Sequence, residues 1–322
     1  MEGRKTVLVT GCSSEGGAGA ALAREFRRRG LRVFATTRGG AETLGFLSDI
    51  GVEHVQLDVT SAASISAAVA HVRNATGGRL DILVNNAAVF SQMPLLDVSL
   101  QDDARAVFET NVWGVLAVTQ AFLPLLVAPD SDSRTEKGSE KEGGLIVNVS
   151  SLSAIMCPPF QGVYAASKAA LLALGHTMRL EFRPFGVRVV TVVSGGVDTT
   201  AASAAAAVTV TSSASDLQAL PFSRKLREDS PYNSLVGITE RSHDNGYKGM
   251  SPSRYAREVV DDLLGREGKS RGRGPKPMLW RGAFAWLAWL LTWCGWYGMM
   301  DRAQIRRSGL DRITYHRKEK EA

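Results

Sequence analysis

Cysteine is scarce in this chain. Its 322 residues hold three, Cys12, Cys157 and Cys294, in no paired or metal-ligand spacing. That excludes a disulfide scaffold and a cysteine-rich structural metal site, and it points to a reducing compartment and no metal. The opening MEGRKTVLVTG lacks the basic, apolar and small-residue order of a secretory leader, so none is expected. Nucleic-acid-binding motifs are missing as well. The net charge is +6, yet the excess concentrates in GREGKSRGRGPKP (265–277) and RRSGLDRITYHRKEK (306–320). Without a motif beside them, these charges do not argue for a nucleic-acid partner. Charge is absent altogether from one run of 19 residues, GAFAWLAWLLTWCGWYGMM (282–300).

What is present reads as an α/β domain. An apolar share of 44% with 22% charged residues suits a globular chain with a sizeable core. β-branched runs at 6–10, 32–37, 52–59, 81–87, 144–151 and 187–193 alternate with stretches of helical apolar spacing. Continuous apolar strands between helices predict a parallel, doubly wound Rossmann-type sheet, with right-handed crossovers and helices on both faces. PMLW (277–280) adds a seventh, edge strand. SPSRYAREVVDDLLG (251–265) adds a final amphipathic helix opened by Ser251–Pro252. Two stretches break the rhythm. The charged, Gly/Ser-rich 128–144 predicts a mobile surface loop. The Ala/Ser/Thr-rich 199–216 follows a strand end, where a substrate lid (about 199–250) and a plain connection both fit.

The first strand runs into GCSSEGGAGAALAREF. A strand, a glycine turn and a helix start are what a dinucleotide pyrophosphate needs: close backbone approach, N–H donors and positive partial charge. Gly11, Gly17 and Gly19 are the candidate glycines. The second strand ends in ATTRGG, where an NAD site would place a carboxylate for the ribose 2′-hydroxyl. Arg38 stands there instead, and a guanidinium suits a 2′-phosphate. With a hydroxyl from Ser13 or Ser14, this predicts NADP(H) rather than NAD(H). The other reading of Arg38 is a solvated loop charge.

In GVYAASKAAL (162–171), Tyr164 and Lys168 lie four residues apart on one helix face, with small residues between them. An ammonium beside a phenol is expected to lower the phenol's pKa and prepare it to pass a proton. An exposed surface pair is the alternative.

Read together, these stretches resemble the short-chain dehydrogenase/reductase family. The resemblance spans about residues 5–200. It rests on TGCSSEGGAG, LDVT after the third strand, NNAA after the fourth, NVWG in the long helix, NVSS after the fifth, YAASK, and SGGVDT after the sixth. Ser151 precedes Tyr164 by thirteen residues, the family's usual separation. The resemblance implies Tyr164 as general acid, Ser151 as a hydrogen-bond donor to the same carbonyl oxygen, and Lys168 as the group that tunes Tyr164 and holds the nicotinamide ribose. It implies Asn111 at a helix kink with a relay water, Asp58 at the adenine, Asn86 on the adenosine ribose side, and Val197 and Thr199 at the carboxamide. The implied reaction is hydride transfer between NADP(H) and a ketone or secondary alcohol. A catalytically degenerate nucleotide-binding scaffold is the reading of another class. Three departures stand out: a glycine loop longer by about two residues, Ala88 for a usual glycine, and Ser194 for a usual proline.

The uncharged 282–300 run is long enough for a membrane helix. Trp286, Trp289, Trp293 and Trp296 recur at three- and four-residue spacing, which favours a helix lying in the interface over a clean span. A core or subunit-interface helix is the alternative. Basic flanks suit an anionic cytosolic leaflet. Two domains follow: 1–281 catalytic, and 282–322 an apolar membrane-associating segment with a basic tail. Within the family, this tail and WRGAFAW resemble fungal acyl-dihydroxyacetone-phosphate reductases. That implies an apolar or lipid-like substrate and a cytosol-facing membrane location at the endoplasmic reticulum or lipid droplet. A secondary-metabolite ketoreductase and a cytoplasmic location are alternatives. The oligomeric state is open, with homodimer and homotetramer included.

Overall fold

The computed structural model describes residues 4–127, 143–199, 226–235, 249–266, 275–293 and 301–312. Most of the expected loop 128–144 and most of the expected lid lie outside them.

Seven strands form one sheet: β1 (Thr6–Val9), β2 (Arg32–Thr37), β3 (Glu53–Gln56), β4 (Ile82–Asn85), β5 (Leu145–Ser151), β6 (Arg188–Ser194) and β7 (Met278–Arg281). Their order is β3-β2-β1-β4-β5-β6-β7, and every pair is parallel. The strands are apolar on both sides because both sides are covered, as the continuous apolar runs predicted. α1 (Ala18–Arg28) and α5 (Pro252–Leu264) pack one face around Leu22, Phe26, Val33, Val147 and Val259. α2 (Ala62–Thr76), α3 (Leu100–Leu126) and α4 (Gly162–Glu181) pack the other around Leu8, Phe34, Leu83, Phe122 and Met178. α3 is the one described helix long and apolar enough to cross a membrane, and it sits here in the core.

Local chemistry sets the element ends. Ser61 caps α2 by accepting from Ser64 N–H, and Gly77 ends that helix in the left-handed conformation. Pro252 occupies the first turn of α5, where its missing N–H costs nothing. α3 widens into π-helical turns at Leu100–Ala104 and Glu109–Gly114, so the expected irregularity falls on Asn111.

All strands point the same way, so their C-terminal ends line one edge. The strand order reverses between β1 and β4, which opens a ligand crevice at that edge. β7 also ends there and leads into α6 (Ala285–Trp293); α7 (Asp301–Ser308) follows. Gly195 N–H donates to the Arg281 carbonyl (2.7 Å), binding the loop after β6 to the exit from β7.

Candidate active site

The turn after β1 has no room for side chains at three positions. A Cβ on Gly11, which has φ +73°, would lie 2.7 Å from the Ala87 Cα. One on Gly17 would lie 2.9 Å from the Ser14 carbonyl, and one on Gly19 would overlap the Gly11 carbonyl. Gly17 is the N-cap of α1, so the helix's free N–H groups open directly onto this turn. The residues fit a pyrophosphate cradle. The Asn86 amide sits behind the turn and donates to the Thr10 (2.8 Å) and Gly11 (3.1 Å) carbonyls. There it braces the glycine loop. Cys12 is inert at the floor: burial pushes its thiol up to about 12.

Arg38 follows β2 and is exposed; its carbonyl accepts from the Gln56 amide. Ser13 is exposed and Ser14 half-buried beside it. Asp58 lies after β3 with its carboxylate turned onto Thr60, accepting from the backbone N–H (2.9 Å) and the hydroxyl (2.7 Å). That is an Asx-type turn leading into α2.

Tyr164 and Ser151 meet at the edge. The phenol hydrogen-bonds the Ser151 hydroxyl, and Phe90 packs edge-on against the ring at 5.0 Å. Tyr164 keeps its proton more tightly than a free phenol, because burial outweighs the Ser151 bond. This corrects the expectation that Lys168 holds the tyrosine low. Desolvation wins, and the lysine lies to one side, with Nζ 5.8 Å from the ring centre and donating to the Val149 carbonyl (3.0 Å). Lys168 is buried, and burial lowers its pKa to about 8.

Asn111 is fully buried in the π turn. Its oxygen accepts from Val89 N–H (2.8 Å), and its nitrogen donates to the Val89 carbonyl (2.9 Å) and Ser167 (3.0 Å). It therefore ties the loop after β4 to the helix carrying Tyr164 and Lys168. Val197 and Thr199 lie in the loop after β6, clamped by Asp198 N–H onto the Met250 carbonyl. The structure thus gathers Ser151, Tyr164, Lys168, Asn111 and the glycine turn at one edge, while Asp58 stays in a turn of its own.

Other participants gave no motif. Phe90 is one. Another is the connection from Ser151 to Tyr164, which has Cys157 and Phe160 in the left-handed region, unusual for non-glycine residues. Phe160 is held by Tyr232 (ring centres 5.8 Å apart) and Leu235, with Leu226 and Leu310 packed alongside. Arg227 and Ser230 both bond the buried Asp97 carboxylate, at 3.1 and 2.7 Å. From α7, Gln304 donates to the Met156 carbonyl (3.1 Å). Two segments distant in sequence thus meet the same rim, a pattern no local signal carries.

The family description "short chain dehydrogenase" matches residues 5–208. Short-chain dehydrogenase cctT of Talaromyces islandicus is 38% identical over 312 residues, covering 97% of this chain and 98% of that one. A protein of Schizosaccharomyces pombe named NADPH-dependent 1-acyldihydroxyacetone phosphate reductase is 39% identical over 199 residues, 62% of each chain. Among solved structures, a short-chain dehydrogenase of Streptomyces avermitilis superposes with a TM-score of 0.67 at 26% identity, covering 98% of this chain and all of that one. A Burkholderia cenocepacia structure, described as in complex with NADP, shares the fold with a TM-score of 0.62 at 22% identity, over 92% and 96% of the chains.

Proposed function

The chain belongs to the short-chain dehydrogenase family, and we propose that it is an NADP(H)-dependent oxidoreductase acting on a ketone or secondary alcohol of an apolar, lipid-like substrate. The carrying observation is the half-buried Tyr164–Ser151 hydroxyl pair with the buried Lys168 one turn away. In the direction of reduction, the bound nicotinamide supplies the hydride. Tyr164, still protonated at neutral pH, gives its proton to the carbonyl oxygen as charge gathers there. Ser151 donates a second hydrogen bond to that oxygen, and the Lys168 ammonium adds positive charge in a water-poor site. Gly11, Gly17, Gly19 and the α1 N-terminus would hold the pyrophosphate. Arg38, with Ser13 or Ser14, would take the 2′-phosphate; the fungal relative named as NADPH-dependent supports that choice. Val197 and Thr199 would lie against the carboxamide, and Asp58 and Asn86 toward the adenosine.

The apolar substrate class rests on Phe90 against Tyr164 and on α6, which leaves the same edge with Trp286 (67%) and Trp289 (46%) exposed. Exposed indoles beside the site entrance support a membrane-seated 282–322 segment that faces the catalytic 1–281 part toward a lipid surface. Stereochemistry and pathway are separate matters, and a secondary-metabolite ketone fits the same site.

Following NADPH oxidation over a panel of ketones tests this reading. Tyr164→Phe should cut turnover at least ~100-fold, the lower range for a general acid. A variant as fast as the parent would overturn the mechanism. Arg38→Asp should weaken NADPH and spare NADH, and equal parent affinities for both would refute the phosphate assignment. No oxidation with any ketone, alongside tight NADPH binding, would favour the scaffold.

A further inference from the structure

The catalytic edge carries a second serine–tyrosine pair. Ser194 ends β6 and stands in register with Ser151 on β5, and its carbonyl accepts from Leu152 N–H (2.8 Å). Parallel neighbours in register present their side chains to the same face of a sheet, about 5 Å apart. The Ser194 hydroxyl lies 2.5 Å from the hydroxyl of Tyr255, which comes from α5 on the face opposite α4. Tyr255 is fully buried, whereas Ser194 is only partly covered. Tyr164 and Tyr255 therefore reach the edge from opposite sides, each bonded to one of two adjacent serines.

Two hydroxyls that share one hydrogen bond have two protons between them and use one. The phenol is the more acidic donor and has no solvent to turn to. Tyr255 therefore donates to Ser194, and the Ser194 proton is left for a third group. A donor that itself accepts a hydrogen bond is strengthened by it. Burial pushes the Tyr255 phenol up to about 12, so Tyr255 stays a neutral donor over the working range.

We infer that Ser194, backed by Tyr255, is a binding residue that donates to a carbonyl oxygen of a ligand at the catalytic edge. The inference rests on the oxidoreductase reading above. That oxygen belongs either to the carboxamide of the nicotinamide or to the ketone substrate. Both are neutral sp² acceptors, and a neutral hydroxyl donor suits either.

The experiment compares Ser194→Ala, Ser194→Thr, Tyr255→Phe and the Ala/Phe double variant. It reads the NADP⁺ dissociation constant by fluorescence, the ketone KM and kcat, and the ligand-free melting temperature. Losing one neutral hydrogen bond should weaken binding by about 3–10-fold. Ser194→Thr, which keeps the hydroxyl, should bind as the parent does. The double variant should be no weaker than the worse single one, because the two residues act as a unit. A change in NADP⁺ affinity assigns the carboxamide oxygen; a raised KM with unchanged NADP⁺ affinity assigns the substrate. Should Ser194→Ala fold poorly because it strands the Tyr255 hydroxyl, the double variant removes that hydroxyl and decides the matter. Unchanged NADP⁺ affinity and KM in the folded variants, or additive losses, overturn the inference. A parent that neither binds NADPH nor turns over a ketone overturns the oxidoreductase reading itself.

Discussion

The catalytic edge and the C-terminal segment treat their side chains in opposite ways. At the edge, polar groups are buried and tied: Asn111 makes three hydrogen bonds, Lys168 donates to a carbonyl, and Ser150 donates to the Lys168 carbonyl at 2.9 Å. In and just before α6 the apolar groups are outside, with Phe284, Trp286, Trp289 and Leu290 exposed and, among the described side chains, Ala285 and Ala288 buried. One region holds charge where charge is costly; the other holds indoles where water meets them. Each departs from the usual partition of polar and apolar groups, and such departures mark function more often than stability. On the proposed reading, the chemistry belongs to the first region and the choice of surroundings to the second.

The largest test of this contrast is Lys168→Met. Burial lowers the ammonium's pKa from 10.5 to about 8. Below about pH 8 both the folded and unfolded chains carry the proton, and the cost of burying the charge is present in full. As pH rises from 8 toward 10.5, the unfolded chain holds more protons than the folded one, so the parent gains stability over that window. Methionine fills similar space without charge. Ketone reduction should fall ~100-fold or more, while the melting temperature at pH 7 rises by several degrees and the gap closes by about pH 10. Calorimetry across that range checks it. A variant that melts lower at pH 7 would show that the edge is not strained by its charge, and the contrast would lose its first half.

The two regions also differ in how far the sequence alone reveals them. The sheet, its order of elements and the positions of Gly11, Tyr164 and Lys168 are legible because each depends on short-range chemistry: a strand, a glycine turn, an i,i+4 helical pair; Ser151 is legible only through the family resemblance. β2 falls at 32–37, just where its apolar run lies, and β3 is trimmed to Glu53–Gln56 only because its tail turns into the Asp58 bend. The direction of the Tyr164 shift was not legible, since it depends on how deeply the ring is buried. Nor was the Ser194–Tyr255 contact, which joins residues 61 apart. The run at 282–300 announces an apolar helix, but not that its described part, Ala285–Trp293, leaves the same sheet edge, which follows from β7 ending beside β6.

A smaller effect should come from Trp286→Ser with Trp289→Ser. Both indoles are exposed, Trp286 the more so, and the melting temperature of the variant records what their removal costs the fold. If they seat in a lipid interface, affinity for vesicles of anionic lipid should drop by about 10–100-fold, given about 1.5–3 kcal/mol for fully burying one large apolar side chain. Turnover of a small water-soluble ketone should be unchanged. Co-sedimentation with phosphatidylserine vesicles measures the first and absorbance the second. Unchanged sedimentation with a smaller particle in solution would identify the face as a subunit contact instead.

The smallest effect is expected where the two regions touch. Gln304 on α7 donates to the Met156 carbonyl, and Leu310 packs near Phe160, both on the connection that runs from Ser151 to Tyr164. That connection already contains Cys157 and Phe160 in a backbone region that resists non-glycine residues, so outside contacts have to hold it. A neutral hydrogen bond contributes about 1 kcal/mol, which limits Gln304→Ala to roughly a five-fold effect. The proton donor itself does not move, so kcat for a small ketone should stay within about two-fold of the parent. The KM of a long-chain ketone, which must pass the rim, should rise by about 2–5-fold, and Leu310→Ala should act in the same direction by loosening Phe160. If both variants leave the long-chain KM unchanged, the C-terminal segment only carries the enzyme to its surface. If both lower kcat for small and large ketones alike, the segment is part of the catalytic fold, and the division at residue 281 dissolves.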